Sequence, residues 1–474
     1  METNSRPHGL HWFRNDLRLD DNRALEALGS RVHAWLPIFI IDPLLAPADQ
    51  NAPRLRFMFD CLEKLDRDLA ARGVALQILE GNPAELITTL MRETGATVVS
   101  WGNAATPLGR RRDEQVEVAI SRAGGESITV DDHIVFGADE IKTQAGGDYT
   151  VYTPYRNAWW RHWNDQPRLA LRRVRLPRVA LEKVSLPQNR PVPTRSDLKD
   201  GRRLPAGGAR NAKTRLAAFL AGPARRYHLD RDRPDVEGTS RLSPYLRFGT
   251  LSTRRCFEDG LAAITADPSK KQGVSKWLDE LIWREFYNAI LVHHPHVLSG
   301  CQRPEYDALE WSGDDDHFQA WCEGRTGYPF VDAGMRQLRS TGWMHNRLRM
   351  VVASFLTKDL GIDWRRGERF FFESLVDADP ASNNGGWQWS ASTGADAQPY
   401  FRIFNPVAQG RKWDPEGIYV RRWIPELRHL TAKSIHEPWK SQDASPLYAA
   451  PIVDHAAARL RTIEEFKRVR RMKR

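Results

Sequence analysis

The first 140 residues alternate between two hydrophobic periods. Short apolar runs rich in strand formers lie at 10–14, 34–41, 74–79, 96–101 and 127–136. Between several of them, 54–71, 83–93 and 110–122 repeat apolar side chains at helical spacing. Strands alternating with helices predict a parallel, doubly wound sheet, so residues 1–140 are expected to form a Rossmann-like α/β domain. Neither a dinucleotide-binding glycine pattern nor a P-loop follows any of the strands, so no phosphate held by a glycine-rich loop is expected here.

The alternation then dissolves. Residues 166–210 are dominated by Pro, Arg and Gly, and 141–210 is expected to serve as a long connector. Beyond it, 211–474 shows long helical periods, clustered aromatics and few strand-like runs, which predicts a second, all-α domain.

Three stretches of that second domain carry unusual polar groups. Within 276–293, Trp277, Glu280, Trp283, Arg284 and Tyr287 share one helical arc, opposite Leu278, Leu281, Ile282, Phe286 and Ile290. A Glu–Arg pair at i,i+4 reads as a helix-stabilising ion pair in water or as part of a ligand-facing side, and the flanking tryptophans favour the second. Within 341–358, predicted as one helix, Asn346, Arg349, Met350 and Ala353 fall on a common face. An amide, a guanidinium and a thioether together suit a planar, partly apolar ligand, although a polar stripe facing water would look the same. The stretch 377–394, DADPASNNGGWQWSASTG, has almost no regular period. A turn broken by Gly385 and Gly386 is expected there, with Trp387 and Trp389 projecting from it.

Composition narrows the partners. A net charge of +10 favours a polyanion, though a solvated basic surface or an anionic small ligand would give the same sign. The four cysteines, Cys61, Cys256, Cys301 and Cys322, are too far apart in sequence for metal-binding spacing, so no metal site and no disulfide framework is expected. No run is long and apolar enough for a membrane span and the N-terminus lacks an apolar signal core, so a cytoplasmic location is expected.

Five blocks, WFRNDLRLDDNRAL, EGTSRLSPYLRFGTLS, WLDELIWREFY, TGYPFVDAGMRQLRSTGWMHNRLRM and NNGGWQWSASTGADAQPYFRIFNPVAQG, resemble successive motifs of the photolyase/cryptochrome family across essentially the whole chain. The resemblance implies an N-terminal antenna domain and a helical domain that holds FAD. By motif position Tyr227, Thr239, Ser240, Leu242, Ser243, Trp277, Glu280, Arg284, Arg349, Asp377, Asp379 and Asn383 would contact FAD. Arg349 suits an anionic reduced flavin, Asp377 can accept from a ring N–H, and Asn383 would stand beside flavin N5.

The family divides by the lesion it repairs. Asn346 and Met350 stand where (6-4) photolyases carry a histidine pair, and acid catalysis on that adduct needs a histidine, so the resemblance implies cyclobutane pyrimidine dimers instead. His345 would point elsewhere on the helix. Glu280 would bond the dimer's base edge, Trp283 and Trp389 would flank it, and Arg231, Arg347 and Arg402 would hold phosphates. Trp387, Trp364 and Trp311 match the family's electron-hopping chain. The implied function is light-driven repair of UV-damaged DNA by a monomer with no obligate protein partner and no membrane; the alternative is a cryptochrome-type photoreceptor. Asn103, Pro107, Arg112 and Asp113 resemble the loop beside a second chromophore, with methenyltetrahydrofolate the first choice and a deazaflavin the second.

Overall fold

The computed structural model describes residues 7–45, 52–166, 171, 174–193, 202–443 and 445–472. Strands β1 (His8–Phe13), β2 (Ala34–Ile41), β3 (Gln77–Glu80), β4 (Ala96–Gly102) and β5 (Glu126–Val130) form a parallel sheet in the order β5-β4-β1-β2-β3. The doubly wound architecture expected from the alternation is present. Helices α1 (Arg23–Arg31), α2 (Pro53–Ala70), α3 (Pro83–Thr94) and α4 (Pro107–Arg122) connect the strands. The last three carry proline in their first turn, where its missing N–H costs nothing. The nine-residue α1 is too short for a clear period; its start is fixed by Asn22, which accepts from the Leu25 amide at 3.0 Å.

The fifth strand ends at Val130, short of the predicted 136. Residues 131–136 leave the sheet because their polar groups are engaged elsewhere. Asp132 is buried between Arg18 and Arg254, and the Val135 amide donates to Glu285 at 2.7 Å. Arg254, fully buried, also donates to Asp21, to the Asp132 and Ile134 carbonyls and to the Asp21 carbonyl. Asp21 also accepts from the Ser252 hydroxyl. This network ties the turn after β1 and the end of β5 to the helical half. The first of the five sequence blocks is thus largely an internal clamp.

Past α5 (Tyr152–Asp165), two short strands, β6 (Val179–Ala180) beside β2 and β7 (Asn189–Arg190) antiparallel to β3, add to the sheet. The remainder is helical, as predicted. It comprises α6 (Ala209–Ala221), α7 (Tyr227–Asp230), α8 (Ser243–Arg247), α9 (Thr253–Ala266), α10 (Lys271–His293), α11 (Asp315–Glu323), α12 (Pro329–Thr341) and α13 (Asn346–Ser354). Then follow α14 (Trp364–Ser374), α15 (Pro380–Ala391), α16 (Pro406–Trp413), α17 (Ile418–Trp423) and α18 (His455–Met472). One apolar core runs without interruption from sheet residues such as Phe13, Trp35 and Phe39, and Phe57 of α2, to Leu216, Phe257 and Leu278 of the helical half. A second lies inside the helical half, around Trp321, Val351 and Tyr419.

Candidate flavin and nucleic-acid site

The long helix α10 is the spine of the site. Trp277 is buried against Phe219 (5.1 Å between ring centroids), and Tyr227 meets the same ring edge-on at 5.8 Å. Trp283 stacks on Tyr152 at 3.7 Å with an interplanar angle of 10°, and the Tyr152 hydroxyl donates to the Asp279 carbonyl at 2.6 Å. Tyr152 was missed from sequence; only the density of aromatics in α5 (YTPYRNAWWRHWND) pointed to it.

The helix-stabilising i,i+4 ion pair, the alternative reading of Glu280 and Arg284, does not form. Glu280 is held by Arg231 and faces Lys276 at 3.4 Å, whereas Arg284 donates to the His133 carbonyl at 2.5 Å and the Leu246 carbonyl at 3.4 Å. Stronger partners from other segments outcompete a pair that is weak on any helix. Asp232, next along the chain, lies 2.8 Å from Arg347, whose guanidinium covers the Trp413 ring at 4.8 Å.

The helix predicted over 341–358 is shorter. It begins at Asn346 because His345 caps it, accepting the Arg347 amide at Nδ1 (3.1 Å), and it passes into a π turn at Phe355–Asp359. Burial pushes the His345 imidazole down to about 3, so it is neutral and turned inward. Asn346 is exposed, with its amide 3.8 Å from the Met350 sulfur. Arg349 donates through Nη2 to both oxygens of Asp377 (2.8 and 3.1 Å) and through Nε to the Met344 carbonyl. Ala353, expected on the ligand face, is buried in the core.

The stretch expected as a glycine-broken turn is helix α15. Asp379 caps it, accepting from the Ser382 amide at 2.9 Å, and Pro380 fills its first position. Burial alone would raise the Asp379 carboxyl, but Arg247, Arg284 and the cap hold it below the ordinary value. The apolar period is hidden because one side of α15 is buried through amides: Asn384 and Gln388 both donate to the Val297 carbonyl. Gly385 is there for close approach, since a Cβ would run into the Tyr287 ring of α10. Asn383 donates to the Glu368 carbonyl at 2.9 Å, which leaves its Oδ1 as an available acceptor. Helical geometry sends Trp387 and Trp389 to different sides: Trp387 is buried, Trp389 half-buried. Trp364 is fully buried and Trp311 half-buried. The tryptophan in ring contact with Trp387 is neither of these but Trp321, at 6.1 Å. Arg402 is exposed on the loop after α15, whose Gln398 amide donates to the Trp389 carbonyl at 3.3 Å.

Residues 239–243 form a turn in which Arg241 has φ of +51° while Leu242 is right-handed (φ −90°). Left- and right-handed residues in succession aim backbone N–H groups at one point, an anion-binding arrangement. The hydroxyls of Thr239, Ser240 and Ser243 have no hydrogen-bond partner among the described residues. These donors, together with the Asn383 acceptor, fit the diphosphate and the ring edge of FAD.

On the α/β side, Asn103 donates to Asp131 (3.0 Å), Arg112 donates to Asp42 (3.2 Å) and lies over Trp12, and Asp113 is paired with Arg14. Burial and the neighbouring Arg14 push Arg112 down to about 10. Pro107 opens α4. A cavity of about 400 Å³ beside this loop is lined by Asn103, Arg110, Asn288 and the carboxylates of Asp113, Glu114, Glu117, Asp131, Asp139 and Glu140. All four cysteines are buried, and among the described residues no cluster of His, Cys, Asp and Glu could hold a metal ion.

A family model described as DNA photolyase matches residues 9–172, and one described as the FAD-binding domain of DNA photolyase matches 277–468. The chain belongs to the DNA photolyase family. It is 41% identical to the deoxyribodipyrimidine photo-lyase of Escherichia coli, over 98% of this chain and 99% of that protein. A class III photolyase from Agrobacterium tumefaciens superposes with a TM-score of 0.89 at 34% identity, covering 99% of both chains. An archaeal photolyase from Sulfolobus tokodaii, solved with two FAD molecules, gives 0.80 at 32% identity over 97% of this chain and all of that one. Family membership makes the chain a photo-lyase-type enzyme with an FAD-binding domain, as the five sequence blocks implied. Among the described residues no helix is long and apolar enough to cross a membrane.

Proposed function

We propose that this enzyme repairs cyclobutane pyrimidine dimers in DNA under blue or near-UV light. The observation that carries the choice of lesion is the contact between Asn346 and Met350. The exposed end of α13 presents an amide and a thioether 3.8 Å apart, and neither is an acid. The adjacent His345 is buried and neutral, so it cannot act as a proton donor to a lesion. Splitting a cyclobutane ring by electron transfer needs no such donor.

The chemistry that bound, reduced FAD would supply is a photoexcited electron, lent and recovered with no net redox change. The protein supplies binding, orientation and charge. The 239–243 turn would hold the diphosphate, with Tyr227 and Trp277 as an apolar wall. Arg349 and Asp377, already a bonded pair, would meet the polar edge of the ring, and Asn383 would offer its carbonyl oxygen near N5. Arg284 and Asp379 shape that pocket through their own partners. Glu280 would accept from the dimer's base N–H, with Trp283 and Trp389 as stacking surfaces worth about 1–3 kcal/mol per base. Arg231, Arg347 and Arg402 would take phosphates. Trp387, Trp364 and Trp311 would pass electrons inward to restore the reduced state. A second chromophore, methenyltetrahydrofolate ahead of a deazaflavin, would sit by Asn103 and Arg110.

The test is direct. The reduced holoenzyme is illuminated with an oligonucleotide containing a single cyclobutane dimer, and dimer loss is followed against a dark control. Light-dependent loss is expected; binding without repair would instead favour a photoreceptor.

A further inference from the structure

Both internal arginines expected on phosphates are already held by carboxylates. Arg231 contacts Glu280 and lies 3.8 Å from Asp232, and Asp232 is 2.8 Å from Arg347. With Lys276 beyond Glu280, the charges run Lys276, Glu280, Arg231, Asp232, Arg347 and alternate in sign throughout. The side chains of Arg231, Asp232, Glu280 and Arg347 keep only 13–24% of their exposure, so these pairs are partly shielded from water. The Arg347 guanidinium is fixed over Trp413 and its Nε is buried without a partner. Lys276 and Asp232 are the members of this row that the proposed reaction does not use, and Asp232 is the one that faces both arginines.

We infer that Asp232 is a specificity-determining residue: an internal competitor for the DNA phosphate that holds Arg231 and Arg347 until a lesion engages Glu280. The inference rests on the proposed repair function. A phosphate of undamaged duplex must displace Asp232 to reach either arginine, and it exchanges one carboxylate contact for one phosphate contact with little net gain. A flipped dimer adds a base N–H for Glu280 and stacking on Trp283 and Trp389. Once Glu280 has that partner it no longer needs Arg231, and the guanidinium is released to the backbone. Arg231 Nε, 3.8 Å from Asp232, then keeps that carboxylate partnered, so the full cost of displacing Asp232 falls on binding to undamaged duplex alone. A single part-exposed ion pair sets that cost at roughly two- to fivefold in affinity.

The test measures the Kd of the holoenzyme for an undamaged duplex and for the same duplex with one cyclobutane dimer, across a salt series. Asp232→Asn is expected to tighten binding to the undamaged duplex about two- to fivefold, to tighten binding to the damaged one less, and so to lower the ratio. Its salt dependence on undamaged DNA should steepen by about one phosphate's worth, a slope near 0.9. Arg347→Gln should weaken binding to both duplexes and flatten the slope, and it should cancel the gain when combined with Asp232→Asn. Weaker binding of Asp232→Asn to both duplexes, an unchanged ratio, or an unchanged slope in Arg347→Gln would overturn the inference. A wild-type enzyme with no preference for the damaged duplex would instead sink the repair function on which it rests.

Discussion

Glu285, in the middle of α10, accepts the Val135 amide and the Trp159 indole N–H, each at 2.7 Å, and it is fully buried. It thereby joins the spine of the FAD-binding half to the segment that leaves the sheet after β5. Burial is the largest influence on its carboxyl and pushes it up to about 7, against the hydrogen bonds and the nearby Arg284, which lower it.

A pH dependence follows. The folded protein keeps the Glu285 proton to a higher pH than the unfolded chain does, so this contribution is fully present below about pH 4.5 and lost as the pH rises to about 7. Glu285→Gln removes the titration. Chemical denaturation from about pH 5 to 7.5 should show the variant gaining on the wild type by up to about 3 kcal/mol. A gap independent of pH would refute the assignment.

Asp132 has the opposite sign. It is buried between Arg18 and Arg254, which hold its carboxyl well below the ordinary range despite the raising effect of burial. Its contribution is present above about pH 4 and disappears as the pH falls through the folded value. Asp132→Asn removes the carboxylate bonded to both buried guanidinium groups, leaving Arg254 with Asp21 alone and Arg18 without a bonded carboxylate, and should cost about 3–5 kcal/mol in urea unfolding at neutral pH.

Two adjacent glycines of α15 should behave differently. A Cβ at Gly385 meets the Tyr287 ring, while one at Gly386 meets nothing within 4 Å. Gly385→Ala should therefore separate α15 from α10 and cost about 1–3 kcal/mol, with loss of retained flavin. Gly386→Ala should be neutral or stabilise by up to about 1 kcal/mol, because alanine is the better helix former. Thermal midpoints and the flavin-to-protein absorbance ratio distinguish the two.

Trp387→Phe should abolish light-driven reduction of oxidised flavin, followed by its absorbance, yet preserve dimer repair by chemically reduced enzyme. The same change at Trp321, whose ring also touches Trp387, should leave photoreduction intact while costing stability, because it deprives the buried Val352 carbonyl of the indole N–H. Photoreduction surviving in Trp387→Phe would show that electrons enter by another route.

The sheet and most of its helices were legible because apolar period is a local property. The failures came from contacts between distant segments. The predicted strand over 127–136 loses its second half because Asp132 pairs with Arg18 and Arg254 and the Val135 amide with Glu285, partners in segments far along the chain. The stretch 377–394 looked irregular because Asn384 and Gln388, not aliphatic residues, face the interior of α15. Glu280 and Arg284 have ideal spacing for a pair, yet their partners come from Arg231 and from the 133 and 246 carbonyls, which spacing cannot reveal. The capping chemistry of Asp379 and Pro380 was the readable sign that a helix starts there.

The uninterrupted core that passes from the sheet into the helices bears on how this chain can be taken apart. Severing it would expose Phe57 and Phe257 alike, along with the buried row Arg18, Asp132 and Arg254. The two halves are therefore not exchangeable cassettes. A grafted antenna half would have to bring its own matched buried charges, and the helical half expressed alone should be recovered as aggregate rather than as a smaller flavoprotein.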